Sequence, residues 1–119
     1  MGLRKALLIA AAAGVLLGNP AAARAATAQE NLDCAIWASY RVGVAEDDQT
    51  RNAFMLAAAW FVGLYEGQAG KPIDEAMAAR APELSEAQIG ALEGACIARF
   101  GNFGDRMTAV GERLSATGN

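Results

Sequence analysis

The sequence predicts an all-α protein, a compact bundle of four to five helices with one disulfide. Three observations carry this. Apolar residues recur at three- and four-residue intervals along most of the chain, with no two-residue alternation of the kind a half-buried strand needs. Capping patterns stand in front of several of these runs. The hydrophobic fraction is 54% with only three prolines, so the 119 residues can close a core of one domain rather than stay disordered.

Residues 1–25 read as a secretory signal peptide. Arg4 and Lys5 give a positive start, Ala6 to Leu17 an uncharged apolar run, and Gly18, Asn19 and Pro20 break it. Small residues at Ala23 and Ala25 place a cut after Ala25, and those at Ala26 and Ala28 allow one after Ala28. The apolar run is shorter than the roughly 20 residues of a spanning helix, so no membrane span is expected after cleavage. Asp33 precedes Cys34, where a lipid-attachment site wants a small residue. Residues 26–119 are then expected to form a single helical domain in the periplasm or outside the cell. That domain keeps seven basic and 13 acidic residues, a net charge of −6.

Within it, Thr27-Ala28-Gln29-Glu30 fits a capping box, and the first helix is expected over 28–42. Leu32, Ile36 and Tyr40 make its apolar stripe, widened by Trp37 and Val44. Gly43 and the run Glu46-Asp47-Asp48 end it. That run lacks the alternating oxygen ligands and central glycine of a calcium loop.

Asp48 or Thr50 can cap the second helix, in which Ala53 to Tyr65 carries no charge. Phe54, Phe61, Val62 and Tyr65 fall on one side, Leu56, Trp60 and Leu64 nearly opposite. A helix apolar all round is either wrapped by its neighbours or keeps a second face for a partner. Phe54, Trp60, Phe61, Leu64 and Tyr65 are the candidate interaction surface.

Gly67 and Gly70 end that helix. Lys71-Pro72 opens a short one, with Asp74 and Glu75 in its first turn and a stop before Pro82. Ser85-Glu86-Ala87-Gln88 is a second capping box, followed by the stripe Ile89, Leu92, Cys96 and Phe100. A turn at Gly101-Asn102-Phe103-Gly104 leads to a last helix with Phe103, Met107, Val110 and Leu114 on one face, and Asp105, Arg106, Glu112 and Arg113 outward.

Cys34 and Cys96 are the only cysteines, and an exported chain meets an oxidising compartment. No His is present to complete a metal site with them, and they lie too far apart in sequence for a redox pair of the CxxC kind. A structural disulfide joining the first helix to the penultimate one is expected.

Other chemistry has little to work with. Without His, Ser39, Ser85 and Ser115 have no ordinary base. Glu66, beside Tyr65, is the best-placed carboxylate for acid–base work; its other reading is the polar end of a buried helix. Arg99 and Arg106 flank the Gly101–Gly104 turn and could hold an anion, or pair with local carboxylates. The glycines lack the Lys-Ser/Thr element of a phosphate loop. A formal charge of −3 argues against nucleic acid as a partner. Neither enzyme activity, nor a metal, nor a cofactor is expected.

Cys34, the Ala95-Cys96 pair, Phe103 and the amphipathic last helix to Leu114 resemble the HdeA-like group of small periplasmic helical proteins. The stretch Phe61 to Gly67 is similar to aromatic–glycine helix ends of that group and of small periplasmic immunity proteins. The HdeA-like resemblance implies an acid-stress chaperone, a homodimer at neutral pH that dissociates in acid and covers clients with its apolar face. The immunity resemblance implies a module that binds one partner. The sequence departs from the HdeA-like group in lacking Lys-rich termini, Lys71 being the only lysine after the leader.

Overall fold

The computed structural model describes residues 25–118, and among them there are helices and no strand. The expected leader lies outside the described residues apart from Ala25. Five α-helices follow one another: α1 (Ala28–Val44), α2 (Asp48–Ala69), α3 (Asp74–Arg80), α4 (Glu86–Ala91) and α5 (Glu93–Ala116), with a 3-10 turn at Ala81–Glu83. They pack as a helical bundle.

The capping box that opens α1 is complete. Thr27 Oγ1 accepts from the Glu30 N–H at 3.1 Å, and the Glu30 carboxylate accepts from the Thr27 N–H at 3.3 Å. The helix passes through Gly43 and ends at Val44, two residues later than expected.

Of the eight residues from Asn31 to Ala38, only Asp33 is not fully buried. Such burial on nearly every side makes α1 the wrapped helix of the bundle. It touches each of the other four. Its small residues Ala35 and Ala38, both fully buried, let neighbouring helices approach closely. The helix that carries the uncharged stretch Ala53 to Tyr65, α2, does not take this central place. It buries one stripe, Ala57, Phe61 and Tyr65 at i, i+4, i+8, and leaves Met55, Leu56, Ala59 and Gly63 exposed.

The cap of α2 is Asp47, rather than the expected Asp48 or Thr50. Its carboxylate accepts from the Thr50 N–H at 2.7 Å and from the Thr50 hydroxyl at 2.8 Å. These bonds, the backbone one foremost, hold the Asp47 carboxyl below its ordinary value of 3.8. A carboxyl depressed on folding contributes stability that is present above the unfolded value and lost as pH falls through the folded one. The expected result for Asp47→Ala is therefore a stability deficit that is full above pH 3.8 and fades below it. Thermal melts of variant and parent across an acid pH series check this; a deficit that persists undiminished in strong acid would contradict it.

At its other end α2 runs through Gly67 and stops at Gly70, whose φ of 69° is left-handed. Glycine takes that conformation without the penalty a Cβ brings, and its N–H donates to Glu66 O at 2.9 Å. Pro72 then precedes α3 rather than opening it. The buried Ile73 sits at the N-cap, and its N–H donates to Glu66 Oε2 at 2.9 Å.

Ser85 and Gln88 form the second capping box as expected. A single residue, Leu92, separates α4 from α5, which then runs 24 residues. The expected turn at Gly101–Gly104 is absent: these residues are helical. Helix-interior glycine is disfavoured by only about 1 kcal/mol relative to Ala, and packing of Phe100 and Phe103 against α2 offsets it.

Cys34 and Cys96 are disulfide-bonded, both fully buried, with Cα atoms 5.5 Å apart. Around the bridge lies a polar cluster. Asn31, 1% exposed, donates to Gln68 Oε1 at 2.5 Å and accepts a hydrogen bond from Arg99. Gln68 in turn donates to Ala26 O at 2.7 Å. Arg80 clasps Asp33 through two nitrogens, at 3.0 and 3.2 Å. That pairing, with Glu83 adding to it, raises the Arg80 pKa and ties α3 to α1.

Candidate functional site

Of the chemical candidates from the sequence, Glu66, Ser85 and Arg99 each have a local structural task. Glu66 receives the Ile73 N–H and so fixes the α2–α3 corner. Ser85 caps α4. Arg99 turns inward: it donates to Asn31, lies 3.5 Å from Cys34 Sγ, and sits over the Phe61 ring at 5.1 Å. Burial pulls its pKa below the ordinary value, with Glu30 opposing. Arg106 is exposed, so the two arginines do not form one anion site. Among the described residues no group of His, Cys, Asp and Glu could hold a metal ion.

The five residues of the candidate surface divide. Phe61 and Tyr65 are core, pressed against α1 because they share the Ala57 stripe. Phe54, Trp60 and Leu64 are half-buried at its margin. A wider apolar seam runs between α2 and α5. The exposed Leu56 is one turn from Trp60, whose ring stacks on Phe103 at 5.1 Å and meets Phe100 at 5.9 Å. Phe100 and Phe103 are themselves 6.1 Å apart.

Beside this aromatic trio is a groove of about 180 Å³ lined by Trp37, Ala53, Phe54, Ala57, Ile97, Phe100 and Gly101. Ile97 is exposed at its rim. The Trp37 ring, edge-on to Phe54 at 5.4 Å, forms part of its wall, and the buried Trp37 Nε1 has no hydrogen-bond partner. Arg41 covers the far face of this wall, 4.8 Å over Phe54 and 3.5 Å from Glu93.

With a turn at Gly101–Gly104, Phe100 faces the core and Phe103 swings away on a separate helix; the continuous α5 instead brings both to Trp60. The signal was present in the three-residue spacing of Phe100 and Phe103, which one continuous helix puts on one face. Ile97 had no mark beyond lying off the core stripe.

No helix among the described residues is long and apolar enough to cross a membrane. No protein-family model matches the chain, no curated protein matches it in sequence, and no solved structure matches its fold.

Proposed function

We propose that this is a small exported protein that works by protein–protein contact, with the α2–α5 seam as its binding surface and an HdeA-like acid-stress chaperone as its role. The observation that carries the proposal is the seam: the exposed Leu56 and Ile97 lie with the half-buried, stacked Trp60 and Phe103 beside an apolar groove. Contiguous exposed apolar surface is characteristic of sites that receive a partner. The disulfide is compatible with export. A cut after Ala25 suits the fold, because it keeps the Thr27 cap and the Ala26 carbonyl bonded to Gln68; a cut after Ala28 would remove both.

The acid response follows from composition. With no His, the charge of the protein below neutrality changes through its carboxylates. Protonating them takes residues 26–119 from −6 to +7, and self-repulsion then opposes association. The test measures aggregation of an acid-unfolded reporter enzyme with and without the oxidised protein, alongside light scattering at about pH 7 and about pH 3. A dimer that dissociates in acid, with aggregation suppressed and suppression lost in Leu56→Asp/Ile97→Asp, is expected. One unchanged species without suppression would overturn the chaperone role.

The groove favours a second reading, a module that binds one specific partner as an immunity or inhibitor protein does. Its apolar cavity of about 180 Å³ matches one inserted side chain better than a variety of clients. That reading expects tight binding to one protein, indifferent to acid.

A further inference from the structure

From Arg99 onward the sequence repeats every seven residues: Arg99-Phe-Gly-Asn-Phe-Gly-Asp, Arg106-Met-Thr-Ala-Val-Gly-Glu, Arg113-Leu-Ser-Ala-Thr-Gly-Asn. Each unit has Arg first, a large apolar residue second, Gly sixth, and Asp, Glu or Asn last. The fifth position is Phe, Val, then Thr. On a helix the second and fifth positions are the a and d positions of a heptad, and form one seam.

We infer that the C-terminal half of α5 pairs with the same segment of a second copy of this chain, as a short parallel two-stranded coiled coil. The inference stands on residues beyond the α2–α5 seam and does not rest on the chaperone reading.

Three observations support a helical partner. First, every residue from Gly104 to Gly118 is exposed, yet α5 remains helical to Ala116. Met107, Val110 and Leu114 lie 44%, 43% and 55% exposed along the seam. An isolated helical segment of this length is marginal in water, and glycine weakens it further. Second, Gly104 and Gly111 meet no conformational or steric need of the single chain: neither has a positive φ, and a Cβ added at either meets nothing within 4 Å. They flank the seam at the heptad position e, where a missing side chain lets a second helix come close. Third, Asp105, Arg106, Glu112 and Arg113 take part in no ion pair among the described residues.

Charge selects the occupant and the direction. In a parallel pair, position g of one helix faces position e of the next heptad in the other. Arg106 then lies across Gly111 of the second copy and reaches Glu112 beside it, and symmetry gives the same contact twice. In an antiparallel pair g faces g, which sets Arg106 against Arg113. Arg99, first in its unit, is held by Asn31, and Trp60 covers Phe103, so the pairing begins at the second unit.

The experiment is sedimentation of the oxidised protein at neutral pH over a concentration series up to millimolar. A monomer–dimer equilibrium is expected, and Val110→Asp weakens it by about 100-fold, because a charge at a buried d position is unpaired. Because Val110 is exposed in the single chain, its thermal midpoint as a monomer stays near that of the parent. Arg106→Glu weakens the dimer and Arg106→Glu/Glu112→Arg restores it. Leu114→Cys in a glutathione buffer gives a covalent dimer, since in-register parallel helices place the two 114 positions together. A protein that stays monomeric throughout, or a dimer indifferent to Val110→Asp, overturns the inference. A Val110-dependent dimer that Leu114→Cys does not cross-link overturns the parallel arrangement.

Discussion

Cys34→Ala/Cys96→Ala is expected to lower the free energy of unfolding by about 4 kcal/mol, from the chain-entropy cost of opening a loop of some 63 residues. Domains of this size hold only about 5–15 kcal/mol in total, so the variant sits near the edge of folding at ambient temperature. The bridge also lies at the meeting point of α1 and α5, between the Asn31–Arg99 hydrogen bond and the core. Its removal loosens the attachment of α5 as well as widening the unfolded ensemble. Urea unfolding followed by tryptophan fluorescence measures this, with Trp37 buried and Trp60 on the α2–α5 seam. The parent protein under reductant should trace nearly the same curve. A loss under about 1 kcal/mol in both would mean that the helices hold together without the covalent tie.

Phe61→Ala is the second large effect, an expected loss of about 3–5 kcal/mol. The ring has no exposure, lies against Trp60 at 4.9 Å and carries the Arg99 guanidinium above it. The α1–α2 contact cannot close over a cavity that size without breaking the Arg99–Asn31 geometry. Leu56→Ala, five residues earlier and 59% exposed, should change stability by no more than about 0.5 kcal/mol. The pair of measurements distinguishes the two faces of α2, one committed to the core and one left open. Equal losses would place Leu56 in a packed environment and remove the basis for the seam.

That distinction was only half legible in the sequence. The capping boxes at Thr27 and Ser85 fix two helix starts by side-chain chemistry that is local, and both appear as read. The cysteine pairing was also readable, there being one way to pair two cysteines. Which helix the others surround was not. Hydrophobicity left α2 either at the centre or with a second face to spare, whereas α1 occupies the centre with a polar residue, Asn31, buried among its neighbours. Asn31 can lie there because Gln68 and Arg99, 37 and 68 residues along the chain, satisfy its amide, and no local pattern shows such partners. The α5 error has a different source. Two glycines three residues apart, Gly101 and Gly104, look like punctuation, but in a helix whose aromatic neighbours stack on Trp60 they merely weaken a segment that tertiary contact restores.

The central position of α1 has a consequence for the order of events during synthesis. A ribosome delivers this helix first, yet the residues that enclose it, from Ala57 to Phe100, come out afterwards. Its apolar sides therefore wait, solvent-facing, while some 60 further residues are made, and Cys34 waits as a thiol for the same interval. The nascent chain stays aggregation-prone until the enclosing residues up to Phe100 have been added. Whatever keeps it from premature contact in that window must act on the first-made helix, not on the last.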